Sequence, residues 1–176
     1  MSAEGYEIAL ARPQDVPLLP EIERKASDLF MQVPLTAAMP LCMKALADSE
    51  AAQREGTLWV ARGGDGAPVG FALVERVGDE FHLEEIDVLP EHGRRGLGAA
   101  LVREVCGWAE RQAASVTLCT FRAIPWNAPF YERLGFKALL SGELTPALQG
   151  RILEETARGL SPEHRVAMRW IGNRAR

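Results

Sequence analysis

The sequence predicts a mixed α/β fold, read as one domain over residues 1–176. Three observations lead there. Segments of period-two and period-3.6 apolar spacing alternate along the chain in the order β-α-α-β-β-β-α-β-α-β-α-β. Near its middle, Phe81 to Ala109 (FHLEEIDVLPEHGRRGLGAALVREVCGWA) reads as a strand, a glycine-rich loop and a helix. A length of 176 residues with 47% hydrophobic and 25% charged content suits one globular domain with a sizeable core.

Each element has its own warrant. Tyr6 to Ala11 alternates as a first strand and Pro13 breaks it. Asp15 is placed to cap the next helix, with Pro17 in its tolerated first turn and Pro20 kinking or delaying the start. Leu18, Leu19, Ile22, Ala26, Leu29 and Phe30 form its stripe. Pro34 and Pro40 bracket a loop, and a second helix runs from about Leu41 to Gln53. Strands Thr57 to Arg62 and Pro68 to Val77 flank the turn signal Gly63-Gly64-Asp65-Gly66. Gly78-Asp79 turns the chain into the strand Phe81 to Val88, which Pro90 stops. Leu97, Leu101, Val105, Trp108 and Ala109 mark the helix Gly98 to Ala113. Strand Ser115 to Phe121 follows. Asn127 then opens a short helix, as its cap, that ends at Gly135, with Pro129 in its first turn. Phe136 to Leu140 is a strand, and Pro146 to Arg158 is a helix with Gly159 at its C-terminal stop. Arg165 to Ile171 is the last strand, and Gly172 to Arg176 is a loose basic tail.

The central loop is suited to a phosphate or pyrophosphate. A helix start leaves backbone N–H groups without helical partners, and the helix dipole favours an anion there. Gly93, Gly96 and Gly98 remove Cβ atoms that would hold a phosphate away, and Arg94 and Arg95 add countercharge. The Walker pattern is absent, and the dinucleotide fingerprint fails at Leu101.

Val88-Leu89-Pro90-Glu91-His92-Gly93-Arg94-Arg95-Gly96-Leu97-Gly98 resembles the acetyl-CoA signature of the GCN5-related N-acetyltransferases, with Gly93 where that family usually has Gln or Arg. Phe130-Tyr131-Glu132-Arg133-Leu134-Gly135-Phe136 resembles the family's later motif, about 40 residues on. The resemblance covers roughly residues 55 to 140. It implies a mostly antiparallel sheet whose fourth and fifth strands splay apart to admit the cofactor, flanked by helices. The helix at 146–158 is an addition before the last strand.

The resemblance also implies a reaction, acetyl transfer from a thioester to an amine, with acetyl-CoA as cosubstrate and no metal. The amine must first lose a proton, since an alkylammonium of pKa about 10.4 has no lone pair. The leaving thiolate benefits from a proton. The family implies Tyr131 for that proton and the backbone N–H of Val88 for the oxyanion. It implies Gly93, Arg94, Arg95, Gly96, Leu97, Gly98 and Ala99 for the pyrophosphate. The family often has Asn seven residues and Ala four residues before the position of Tyr131, where this chain has Ile124 and Asn127, and Asn127 is offered as a further cofactor contact. For the base, alternate strand positions put His82 and Glu84 on one face with Glu85 and Asp87 opposite. Bases in several family members fall at the positions of His82 and Glu84. Glu84 is the first choice, directly or through water, and His82 the second. Phe30, Met31, Phe121 and Trp126 are read either as core or as acceptor-pocket lining.

The expected partner is a small-molecule amine, with a protein lysine or N-terminus ranked behind it. A homodimer is the default assembly. The alternative is a catalytically silent CoA-binding sensor with the same fold. A net charge of −4 argues against a nucleic-acid binder. No apolar run reaches the ~20 residues of a membrane span, and the N-terminus lacks a signal peptide's pattern. Cys42, Cys106 and Cys119 show no paired spacing and read as reduced thiols of a cytoplasmic protein. His82, His92 and His164 are too scattered in sequence to announce a metal site.

Overall fold

The computed structural model describes residues 5–33, 45–170 and 172. Its strands are β1 (Glu7–Leu10), β2 (Leu58–Arg62), β3 (Pro68–Val77), β4 (Glu80–Val88), β5 (Val116–Phe121), β6 (Lys137–Ala138) and β7 (Arg165–Trp170). Its helices are α1 (Leu19–Met31), α2 (Leu46–Glu55), α3 (Leu97–Arg111), α4 (Ala128–Arg133) and α5 (Pro146–Ala157). The seven strands form one mixed sheet in the order β1-β2-β3-β4-β5-β7-β6. β1 with β2, β2 with β3, β5 with β7 and β6 with β7 are antiparallel. β4 and β5 are parallel, and their ladder lasts two pairs, Phe81 with Val116 and His82 with Thr117. A long crossover through α3 is what a parallel neighbour requires.

The chain divides into two compact units. The first comprises residues 1–75 and 85–105. Its core gathers Ala11, Val16, Leu19 and Ile22 with Ala52, Leu58, Val60, Phe71 and Leu73. Asp15 does not cap the helix that follows it. Its Oδ2 instead accepts from the backbone N–H of Arg12 at 2.7 Å and from Arg62 Nη2 at 2.5 Å. Both residues are buried, Asp15 4% and Arg62 1% exposed, and a guanidinium in that position demands a carboxylate partner. Pro20 delays the helix rather than kinking it: a 3₁₀ turn at Val16–Leu18 precedes α1. Leu18 and Leu29, both in the expected stripe, stay 49% and 41% exposed, while Glu23, outside that stripe, is buried.

The second unit comprises residues 76–84 and 106–176. Val116, Leu118, Leu148, Val166 and Met168 are among its buried side chains. β6 is two residues long instead of five, because the chain turns at Ser141–Glu143 and the Glu143 carboxylate accepts from the Leu140 N–H at 2.7 Å. Thr145 caps α5, its Oγ1 accepting from Leu148 N at 3.3 Å, with Pro146 in the first turn. The loop bracketed by Pro34 and Pro40, the start of the second helix at 41–44, Cys42 and the tail at 173–176 lie outside the described residues.

Candidate active site

In the first unit, Pro90–His92 makes one 3₁₀ turn after β4, and the loop then runs through two left-handed residues, Arg94 (φ +57°) and Gly96 (φ +83°). α3 opens immediately afterwards at Leu97, and its first hydrogen bond is Ala100 N to Gly96 O at 2.9 Å. Left-handed residues interleaved before a helix start leave backbone N–H groups without helical partners, an arrangement suited to an anion. Leu97 is 1% exposed and roots the loop, while Gly93, Arg94 and Arg95 lie at the surface. Arg94 holds its left-handed backbone without being glycine, at a cost of roughly 1–2 kcal/mol. The Arg95 guanidinium donates to the Tyr6 hydroxyl at 3.2 Å and to Glu91 O at 3.4 Å. The Tyr6 hydroxyl in turn meets His92 Nδ1 at 2.8 Å, with the two rings edge-on at 5.7 Å. Arg95 therefore braces the loop from its flank.

Val88 ends β4 beside a glycine. A Cβ on Gly70 would stand 2.8 Å from Asp87 O and 3.0 Å from Val88 Cγ2, so β3 approaches the segment 87–88 as closely as only glycine permits. On the same strand Glu85 and Asp87 join Glu23 of α1, with side-chain hydrogen bonds linking Glu85 to both of the others. Two carboxyls can hydrogen-bond only by sharing a proton. Burial, then repulsion from Glu23, pushes Asp87 up to about 7. Burial, then Asp87 and Glu23, raises Glu85 further.

In the second unit the base candidates come together. His82 is 1% exposed and its Nδ1 lies 2.9 Å from Thr117 Oγ1. That hydroxyl donates to Phe81 O at 3.3 Å, so it accepts from His82, and Nδ1 carries the proton. His82 Nε2 stands 4.0 Å from Glu84 Oε2. The other oxygen of Glu84 is held by the Arg151 guanidinium, from α5. His82, Cys119 and Glu155 also bring ligand atoms within 4.8 Å of one another. Glu155, however, pairs with Arg165 at 2.9 Å, and burial, then Glu155, pushes the Cys119 thiol up to about 12. A thiol so far from ionising is a poor ligand or nucleophile.

Tyr131 is 6% exposed. Its position follows from how α4 ends. Phe136 N donates to Tyr131 O at 3.1 Å and Gly135 N to Glu132 O at 3.0 Å, with Gly135 at φ +93°. This is a Schellman ending, and it brings the residue after the glycine back onto the third-last helical residue. The Tyr131 and Phe136 rings accordingly meet at 5.6 Å, with Phe130 5.0 Å away on the other contact. The spacing Phe-Tyr-x-x-Leu-Gly-Phe is the sequence trace of that ending. Asn127 makes no side-chain cap for α4. Its Nδ2 donates to Thr120 Oγ1 at 2.7 Å, tying the helix start to β5.

Arg151 and Glu23 were invisible to apolar periodicity. On α5, Leu148, Arg151 and Glu155 share one face at i, i+3 and i+7 spacing. Leu148 is fully buried and Leu153 is 69% exposed, so the charged residues lie on the inward side. A stripe search that admits a charge beside a buried leucine would find them.

Residues 54–138 match the family model described as an acetyltransferase (GNAT) domain. Among solved structures, the ribosomal-protein-S18-alanine N-acetyltransferase from Escherichia coli is similar at 20% identity and TM-score 0.63, over 94% of this chain and 92% of that one. The PaiA N-acetyltransferase from Thermoplasma acidophilum, in complex with coenzyme A, is similar at 16% identity and TM-score 0.66, over 97% and 99%. Arabidopsis thaliana Naa50, in complex with the bisubstrate analogue CoA-Ac-MVNAL, is similar at 12% identity and TM-score 0.63, over 94% and 97%. No helix among the described residues is long and apolar enough to cross a membrane.

Proposed function

We propose that this chain, whose residues 54–138 match an acetyltransferase (GNAT) domain, transfers the acetyl group of acetyl-CoA to a primary amine of a small molecule. The observation that carries the proposal is the loop at 93–99: left-handed Arg94 and Gly96 feeding the start of α3, inside the matched domain. The pyrophosphate binds the N–H groups of residues 94–99, and Val88 N–H serves as oxyanion donor. The Nδ2 of Asn127 is held by Thr120, so its contribution to the cofactor is through Oδ1, which is buried with no hydrogen-bond partner among the described residues.

The acceptor arrives as an ammonium. Glu84, directly or through one water, takes one proton, and His82 stands behind it, its Nε2 4.0 Å from Glu84 Oε2. The neutral amine attacks the thioester carbon, the C–N bond forms, the attacking nitrogen gives its second proton to solvent, and the C–S bond breaks. Tyr131 gives its hydroxyl proton to the departing sulfur and is reprotonated from solvent. The products are the amide, free CoA thiol and one released proton. The carboxyls Glu85 and Asp87, close before Val88 on β4, and Glu23, which joins them in the first unit, support a cationic acceptor. Protein N-termini are the second acceptor class, because one similar structure is named for a ribosomal-protein alanine and another holds an acetylated peptide analogue.

Thiol release from acetyl-CoA, measured against a panel of small primary amines and an alanine-terminated peptide, tests the acceptor class. Tyr131→Phe is expected to lower kcat by about 10²–10⁴ with acetyl-CoA affinity unchanged. An unaltered kcat contradicts the acid assignment. One observation favours the silent CoA-binding alternative: the Glu84 carboxylate is already committed to Arg151. Cofactor binding without turnover on any amine in the panel selects it.

A further inference from the structure

We infer that Arg151, carried on the helix added between β6 and β7, is a positioning residue that fixes the Glu84 carboxylate and sets the pH below which the acetyl transfer fails. The inference rests on Glu84 being the base. The pair is shielded: the Arg151 and Glu84 side chains are 10% and 11% exposed, so their attraction is screened far less than that of a surface pair. Protonating Glu84 would forfeit it, and a neighbouring cation therefore keeps the carboxyl ionised to lower pH.

The geometry also orients the base. With Oε1 on Arg151, Oε2 is the oxygen 4.0 Å from His82 Nε2. His82 is locked in turn, because Thr117, fully buried, holds its Nδ1. The row Arg151–Glu84–His82–Thr117 thus runs from α5 across β4 to β5. The other charged or titratable groups facing it are few. Glu154 reaches Arg151 Nη1 at 3.3 Å but is 62% exposed. Glu155 is neutralised by Arg165, whose Nη2 also donates to Cys119 O at 3.0 Å. Cys119 stays a thiol. Among the described residues, Arg151 is the cation seen paired with Glu84. α5 is built to deliver it: Thr145 caps the start, Leu148 anchors the first turn, and Arg151 follows one turn later on the same face.

The test is a ¹³C-carboxyl NMR titration of Glu84, assigned by loss of its signal in Glu84→Gln, in the full chain. Arg151→Met is expected to raise the titration midpoint by about one pH unit or more. Arg151→Lys, which keeps the charge but not the fork, is expected to bring the midpoint most of the way back to wild type, and Arg151→Gln, also neutral, guards against a Met variant that fails to fold. An unchanged midpoint in folded Arg151→Met or, if that variant does not fold, in Arg151→Gln, together with unaltered transfer rates below pH 7, overturns the inference. Thiol-release rates of Glu84→Gln separate the two levels. If Glu84→Gln retains full rate at every pH, the base assignment fails, and Arg151 with it as a determinant of the reaction. If Glu84→Gln is slow while Arg151→Met leaves the acid limb of the rate–pH profile in place, this inference alone fails.

Discussion

Single residues in this chain do work that their type alone does not announce. Asp15 looks like a helix cap and is instead the counter-ion of a buried arginine, Arg62. Asn127 looks like a cap and holds Thr120. In both cases a short polar side chain has two local uses, and a partner remote in sequence decides between them. Tyr131 is the opposite case, since its surroundings are fixed by neighbours within five residues and were therefore legible. The carboxyl cluster gives a testable residue-scale consequence. Asp87 is raised in the folded chain from 3.8 to about 7, chiefly by burial. The folded state thus holds a proton that the unfolded chain releases, so this contribution to stability is fully present below about pH 4 and is lost as pH rises through about 7. Asp87→Asn is expected to flatten that decline and to raise Tm at pH 8 by at least about 2–4 °C, the equivalent of ~1 kcal/mol for a chain of this size. Equal pH slopes for wild type and variant, followed by calorimetry, would show that Asp87 is ionised throughout.

At the scale of elements, strands and helices with a clean apolar rhythm were readable to within two or three residues: β3 is Pro68–Val77 as the turn signals on each side require, and α3 carries its stripe from Leu97 to Ala109. β6 was not, because its second half is drawn into the Ser141–Glu143 turn by a side chain three residues on. The added helix α5 was visible as a helix, but its inward charges were not visible as a site. Packing between β3 and β4 makes the sharpest element-scale prediction. Gly70→Ala would place a methyl 2.8 Å from the carbonyl of Asp87, a backbone atom with little freedom to yield. It is expected to cost about 1–3 kcal/mol and to weaken acetyl-CoA binding by displacing Val88. Chemical denaturation and calorimetric titration check the two halves, and a stable variant of undiminished affinity would show that the 87–88 segment does not pair with the cofactor.

For the whole molecule, local patterns specified the list of elements but not their order in the sheet. Nothing in the spacing of β4 and β5 says that they are parallel neighbours or that their ladder stops after His82 and Thr117. The resemblance of two motifs about 40 residues apart implies a mostly antiparallel sheet whose fourth and fifth strands splay, and the parallel pairing of β4 with β5 is what the structure adds. The same two motifs make the claim on which the rest depends, that the loop before α3 is built for the pyrophosphate of acetyl-CoA. The direct test is the melting temperature of the full chain with acetyl-CoA, with NADH and ATP as controls. At about 100 times its Kd a ligand adds ~2.7 kcal/mol, or roughly 5–10 °C for a chain of this size. A rise of that order with acetyl-CoA alone is the predicted result. A folded, CoA-free protein whose melting temperature does not move with acetyl-CoA, or moves equally with NADH, contradicts the assignment of the loop and the reaction built upon it.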